Sequence, residues 1–355
     1  MPEFEIHEAT IPASLDVPEA VDFIRAIEVG NAVDAMGYGS ADLSFGPDEE
    51  LPMFSHPHQP HRMLVARVEG SIVASGLYET HVGEGADSAW VRVQVLPEFR
   101  RRGIGTALAT ALEAMAAADG KAKLLVYTPV PEGPGERLES PTGFGSIVIN
   151  DDVRFLQHRG YRLEPVERMS RLPLPVDGIE ERLAAAEHRS GPDYRVHYWV
   201  GATPARWLED RAVLATRMST DAPSAGLEEP EDVWTVERVI ENDERQDRLN
   251  PRTRLTAAVE HVPSGTLVGF TVLSVPVQPH RSVSQFTTLV LREHRGHKLG
   301  MLLKVANLAH LQRVVPGHPS VITFNAEENR YMLDVNEAVG FAAAASESAW
   351  RKDVT

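Results

Sequence analysis

The sequence contains no cysteine. Disulfide scaffolds, thiolate zinc sites and cysteine nucleophiles are excluded together, so any group-transfer chemistry must use other side chains. No run approaches roughly eighteen uninterrupted apolar residues, the length a membrane span needs, and the opening MPEFEIHEAT has no apolar stretch of signal-peptide length. An excess of positive charge is also missing. Lys and Arg number 35 against 51 Asp and Glu, a formal net charge of −16, which argues against nucleic acid or an anionic membrane as a partner. These absences predict a cytoplasmic protein that binds neither. The Walker A ending Gly-Lys-Ser/Thr and the dinucleotide fingerprint G-x-G-x-x-G are absent as well.

What is present is an ordinary globular composition, with 43% hydrophobic and 24% charged residues in 355. At roughly 150 residues per domain the length suggests two domains. The chain repeats itself. FRRRGIGTAL from Phe99 and HRGHKLGMLL from His294 each follow an apolar β run and lead into an apolar helix. Arg100 and Arg295, Gly105 and Gly300, and the hairpin glycines Gly70 and Gly265 all stand 195 residues apart. Three landmarks at one offset point to a duplication. The periodicities give each half the same order: strand, helices, hairpin, strand, cation-rich loop, helix, strand, helix, strand. In the first half the opening helix is expected over Pro18 to Val29, the hairpin turn at Glu69-Gly70, and a long Gly/Pro loop after KLLVYT. The Pro-bounded stretch between the halves reads as a linker with one helix. Domains are expected at 1–174 and 193–355, with 175–192 as linker.

A helix N-terminus carries a positive partial charge, so Arg100, Arg101 and Arg102 are unfavourably placed there unless an anion joins them. Arg295, His297 and Lys298 repeat the arrangement. Free first-turn N–H groups, nearby cations and glycines that permit close backbone approach together describe a phosphate site, with a diphosphate as its natural occupant. The plainer reading is a set of solvated charges at a softened helix start, and the duplication weighs against it.

VQVLPEFRRRGIGTALATAL resembles the acetyl-CoA-binding signature R-x-x-G-x-G of the GNAT acetyltransferase superfamily, with its V-x-P-x-x-R lead-in. The whole chain resembles two such folds in tandem. The resemblance implies an α/β (α+β) fold for each half, a mixed, mostly antiparallel sheet flanked by helices, and acetyl-CoA as co-substrate. It implies that Arg100, Arg101, Arg102, Gly103, Ile104, Gly105 and Thr106 hold the CoA diphosphate in the first copy. In the second copy the equivalent residues are Arg295, Gly296, His297, Lys298, Leu299, Gly300 and Met301. It also implies that Val93 and Val95, and Thr288, Leu289 and Val290, hydrogen-bond the pantetheine arm. The second signature departs from the pattern, with Lys298 where the first copy has Gly103.

The acceptor-side helix of the family, N-x-x-A-x-x-x-Y-x-x-x-G-F, is met better by the second copy, NRYMLDVNEAVGF, than by the first, INDDVRFLQHRGY. Asn336 and Leu156 replace the tyrosine that would protonate the departing thiolate. The second copy is therefore expected to be catalytic through Asn325, Asn329 and Asn336, with the first structural or accessory; capping and turn chemistry is the competing role for these asparagines. The implied reaction is direct attack of an amine on the acetyl thioester, and SQFTTLVL offers Gln285, Thr287 and Thr288 but no carboxylate base. An acidic segment carrying Asp221, Glu228, Glu229, Glu231 and Asp232 suggests a small cationic amine as acceptor. A different class of function, an acyl-CoA-binding protein without turnover, stays open. His56, His58 and His61 have no carboxylate or thiolate beside them in sequence, and no metal is expected.

Overall fold

The computed structural model describes residues 4–56, 58–82, 86–221 and 232–354. Its residues fall into two compact units, 4–168 with 344–354, and 169–343.

The first unit contains β1 (Phe4–Glu8), α1 (Ala20–Tyr38), α2 (Pro47–Glu50), β2 (His61–Val68), β3 (Ser71–Thr80) and β4 (Ser88–Val95). It continues through α3 (Ile104–Ala118), β5 (Lys123–Pro131), β6 (Arg137–Glu139), β7 (Ser146–Val148), α4 (Asp151–His158) and the start of β8 (Arg162–Pro173). β1 to β4 pair antiparallel in sequence order, and β4 runs parallel to β5. Glu69 and Gly70 both take positive φ, 50° and 82°, the requirement of a two-residue turn matched to strand twist. Alternation along β2 explains the layering: Leu64, Ala66 and Val68 pack with Ile104, Leu108 and Leu112 of α3, while Met63 and Val65 pack with Phe23, Ala26 and Ile27 of α1.

α1 runs nine residues past the expected end at Val29. Gly30 and Gly37 are inside it because the helix lies close on β4 and β5. A β-carbon on Gly30 would sit 2.8 Å from Gln94 Oε1, and one on Gly37 would sit 2.4 Å from the Pro129 ring. Part of the loop after KLLVYT is also ordered differently from expectation, since β6 and β7 form a short antiparallel ladder.

The second unit contains α5 (Ile179–Ser190), β9 (Tyr194–Val200), α6 (Leu208–Asp221), α7 (Val236–Leu249), β10 (Thr253–His261) and β11 (Thr266–Val275). β12 (Val283–Val290), α8 (Leu299–Val314), β13 (Ser320–Ala326) and α9 (Arg330–Val339) complete it, and β14 (Ala342–Asp353) follows. Its sheet order is β8-β13-β12-β11-β10-β9. α8 is buried along most of its length against Phe270, Leu273 and Leu289, with Ile179, Leu183 and Ala186 of α5 in the same core. α5, read from sequence as a linker helix, is thus part of this unit.

The division expected at 174 and 193 differs from the observed one at the last strand. β14 pairs antiparallel with β5 over nine residues, from Ala345 opposite Pro131 to Asp353 opposite Lys123, and so closes the first unit's sheet. The second unit takes the end of β8 instead, where Arg171 donates to Ser320 Oγ at 2.8 Å. Neither strand's composition says which sheet it joins. Among the described residues no helix is long and apolar enough to cross a membrane.

Candidate active site

In each unit two parallel strands begin as partners and then separate. β4 and β5 pair only through Ser88, Ala89 and Trp90, and β12 and β13 only through Val283 and Ser284. Past those points, among the described residues, Val91 to Val95 pair only with β3 and the ladder of Gln285 to Val290 runs only to β11, with Thr323 Oγ1 of β13 still donating to Gln285 O at 3.4 Å. The resulting gap leaves one strand edge of N–H and C=O groups without a ladder partner, which is where an extended amide-bearing chain can add hydrogen bonds. Val93 and Val95, and Thr288, Leu289 and Val290, stand on these edges. The pairing of β11 with β12 also shifts register between Thr271 and Leu273, a bulge that the pairing of β3 with β4 lacks.

A cation-rich loop follows each splayed strand. Both loops take left-handed backbone at the same two positions, Arg101 (φ 59°) and Gly103 (87°), Gly296 (92°) and Lys298 (59°). The glycine has changed places between the copies while the backbone path has not. Such alternation turns successive N–H groups into one concavity, an anion nest. Neither following helix has a side-chain N-cap, so the first-turn donors of Ile104 to Thr106 and Leu299 to Met301 are free of one. Lys298 is a left-handed N-cap rather than a helical residue. Left-handed backbone costs a residue with a β-carbon about 1–2 kcal/mol, and glycine's unfolded-state freedom returns about 0.5–1. Lys298→Gly is therefore expected to raise stability by about 0.5–1 kcal/mol, as read by urea unfolding; a loss would show that the lysine is held by contacts that outweigh the strain.

The side chains of the signature do less than expected toward a ligand. Arg100 Nε donates to Val95 O at 3.1 Å and Arg295 Nε to Val290 O at 3.3 Å, so each leading arginine ties its loop back to the splayed strand. In the first loop the counter-charges are the chain's own, because Arg101 meets Asp151 at 2.8 Å and Arg100 meets Asp152 at 3.5 Å. Both pairs are well exposed and worth little each. The chain's own carboxylates thus give counter-charge to two of the three arginines, while Arg102 donates to Glu98 O at 2.8 Å. Gly105 and Gly300 sit below aromatic groups of the next helix: a β-carbon would lie 3.9 Å from the Phe155 ring in one case and 3.8 Å from the Tyr331 hydroxyl in the other.

The three asparagines divide by role. Asn329 caps α9, its side chain accepting from Met332 N at 3.2 Å. Asn336 is fully buried and donates from Nδ2 to Asn325 Oδ1 at 2.7 Å, joining α9 to the end of β13. Its own Oδ1 has no partner among the described residues. Around Thr288 the polar groups satisfy one another, with Gln285 Nε2 donating to Thr271 Oγ1 at 2.9 Å and Thr271 Oγ1 lying 2.8 Å from Thr288 Oγ1. Of the acidic segment, Glu228, Glu229 and Glu231 lie outside the described residues, as does the side chain of Asp221. Asp232 is engaged locally, accepting from Trp234 Nε1 at 2.9 Å and pairing with Arg238 at 2.6 Å.

The polar site that sequence reading missed lies in the first unit. A cavity between α1, α2 and the β2 to β4 surface is lined by Asn31, Asp34, Glu50, Arg92 and Gln94, with Met63 and Ile27 as apolar wall. Arg92 and Gln94 alternate on β4, so both face α1. Gln94 Nε2 donates to Asp34 Oδ1 at 2.6 Å, and Arg92 Nη1 stands 3.8 Å from Asp34 Oδ2. Near it, Tyr38 donates to Glu347 of β14 at 2.5 Å. Burial raises the carboxyls of Asp34, Glu50 and Glu347 above their ordinary range, Arg92 opposing this in all three. Burial, with Glu347 and its hydrogen bond, likewise raises the Tyr38 phenol. Asp34 and Tyr38 lie in the stretch where α1 was expected to have ended, and Glu347 comes from a strand assigned to the other half.

A tandem GNAT protein from the clavulanic acid biosynthesis pathway, solved without acetyl-CoA, superimposes with a TM-score of 0.74 at 23% identity over 99% of both chains. The chain has the tandem GNAT fold. A solved GCN5-related N-acetyltransferase from Sphaerobacter thermophilus is similar over 99% of this chain and 96% of its own, with a TM-score of 0.62 and 16% identity. The model of the acetyltransferase (GNAT) family matches residues 34–133, within the first GNAT domain and spanning Asp34, Arg92 and the first signature loop. No curated protein matches the chain. The two GNAT domains thus share the strand gap and the loop geometry, and among the described residues the carboxylate-lined cavity belongs to the first.

Proposed function

We propose that the chain is an acetyl-CoA-dependent N-acetyltransferase acting on a small cationic amine, and that transfer takes place in the first domain rather than the second. The observation that carries this reading is a set of half-buried carboxylates, Asp34 and Glu50 on the cavity wall beside the splayed strand β4 and Glu347 on Tyr38 nearby. Acetyl-CoA supplies the acyl thioester that an amine attacks. The unpaired β4 edge at Val91 to Val95 and the nest at Arg101 to Thr106 are the groups that would hold its amide arm and diphosphate.

The chain's own residues do the rest. Excess carboxylate over cation draws a protonated amine into the cavity, with Arg92 as the one cation on its wall among the described residues. Burial raises the proton affinity of the Glu50 carboxyl, with Arg92 and His61 opposing, and this suits it to take a proton from the amine nitrogen. Asp34, held by Gln94 and Arg92, orients the ammonium. The second domain offers Gln285, Thr287 and Thr288 but no carboxylate on β12, and Asn336 in place of an acid, which supports a structural or CoA-holding role for it.

The test is release of CoA thiol by the purified protein against a panel of monoamines and diamines. Glu50→Gln is expected to lower kcat/KM about a hundredfold while leaving acetyl-CoA affinity unchanged. Folded wild type that releases no CoA with any amine would sink the transferase reading. It would favour an acyl-CoA-binding protein without turnover, which the absence of a phenol at Leu156 and Asn336 supports.

A further inference from the structure

The two phosphate loops are buttressed by different chemistry. Behind the second loop four rings gather from four segments: Tyr194 at the start of β9, His261 at the end of β10, His294 in the turn after β12, and His297 in the loop itself. The Tyr194 ring lies 5.6 Å from His261, 5.9 Å from His294 and 5.1 Å from His297, and His261 lies 4.8 Å from His294. The Tyr194 hydroxyl is 3.1 Å from His294 Nδ1, and His261 Nδ1 is 2.9 Å from Ser264 Oγ. In the first copy the residues 195 positions earlier are Phe99 and Arg102, with the guanidinium over the ring at 5.1 Å. One loop therefore rests on an apolar ring and a permanent cation, the other on three imidazoles.

Histidine is the side chain whose charge changes between about pH 5 and 8. His294 faces His261 from β10, Tyr194 from β9 and His297 from the loop, with Arg292, Glu293 and Arg295 on its own segment and Asp193 preceding Tyr194. Burial, together with His261 and His297, holds the His294 imidazole below its ordinary value, with Glu293 opposing. Charging His294 in this cluster, with His261 4.8 Å away, is unfavourable unless an anion lies against the loop, and an anion there makes protonation favourable. Binding of the anion and uptake of protons are then linked.

We propose that the second loop is a proton-coupled anion site: a CoA diphosphate binds there together with a proton taken up within the imidazole cluster at His294, so that acidification tightens this site and leaves the first loop unchanged. The proposal rests on the reading of the second loop as a CoA site. It gives the second domain a function distinct from transfer, retention of CoA in proportion to acidity.

The full-length protein is titrated calorimetrically with dephospho-coenzyme A, whose diphosphate bridge keeps its charge across the range, at pH 5.5, 6.5 and 7.5 and in two buffers of different ionisation enthalpy. Two binding steps are expected. One tightens about tenfold between pH 7.5 and 5.5 with net proton uptake, the size linkage gives when about half a proton is bound on average across the interval. His294→Phe/His297→Arg, which installs the first loop's residues, is expected to retain both steps and lose the pH dependence. Two steps without proton uptake in the wild type, or a pH dependence that survives in the variant, overturn the proposal alone. A single step abolished by Gly103→Val overturns the reading of the second loop as a CoA site, and the proposal with it.

Discussion

Replacing Lys304 with methionine is expected to stabilise the second unit by about 3–5 kcal/mol at pH 7. Lys304 is 1% exposed on α8, and the ring of Phe341 lies 5.8 Å from its Nζ. Burial pushes its ammonium down from 10.5 to about 7. The unfolded chain keeps the lysine proton up to its ordinary value, whereas the folded chain releases it above about pH 7. Between those limits the unfolded state binds more protons, so stability rises with pH at about 1.4 kcal/mol per unit. The contribution is fully present above pH 10.5, is lost as pH falls toward 7, and changes no further below. Methionine keeps the length of the stem and removes the charge, so the variant starts from the higher level and does not climb. Urea unfolding at pH 7.0 and 9.5 checks this. Equal pH slopes for the two proteins would mean that the amine is not desolvated as described. The first domain supplies an internal comparison, since the residue 195 positions earlier is Ala109.

The second large effect is expected far along the sequence from where it is felt. Trp350 is 1% exposed in β14 and belongs to the core formed with Ile104, Leu108, Leu112 and Val126. Its Nε1 donates to Ser348 Oγ at 2.9 Å, and Ser348 Oγ donates to Thr128 O at 3.1 Å. Truncating a buried tryptophan costs about 3–5 kcal/mol through lost burial and the cavity left behind. Trp350→Ala should therefore destabilise the first unit and spare the second. Amide exchange resolves the two: protection is expected to fall in α3, β4 and β5 and to persist in α8 and β11. Loss of protection confined to 169–343 would contradict the assignment of β14.

The internal comparison of two copies made much of the fold legible. A shared offset identified the duplication, Glu69-Gly70 gave a hairpin whose positive φ angles only certain residues accept, and FRRRGIG gave the start of α3. Sequence reading failed where a residue's job was set by a distant neighbour. The pattern ends the first helix at Val29, whereas Gly30 lies inside it, where Gln94 approaches so closely that a β-carbon would not fit. Nothing in the sequence sets Asp34 and Glu50 apart from the chain's other acidic residues, and burial beside α1 and β4 is what raises their proton affinity. Glu347 reads as part of the second half, because AAAASESAW carries no information about which sheet it will join. The i, i+7 spacing of Asn329 and Asn336 likewise leaves capping and a site role open, and the fold gives Asn329 the cap of α9 and joins Asn336 to Asn325.

The partner choice of β14 also sets an order in time. During synthesis the residues of the first unit up to Arg168 emerge first, and 169–343 must be made before the strand that completes its sheet. At about 5–20 residues per second the nascent first sheet waits roughly ten to thirty-five seconds with β5 as an open edge. An unpaired edge of that kind recruits other chains. β5 carries Pro129 and Pro131 near its end, opposite Glu347 and Ala345 in the finished ladder. Proline offers no N–H to an intruding strand, so the residues that β14 tolerates as partners also guard the edge until it arrives.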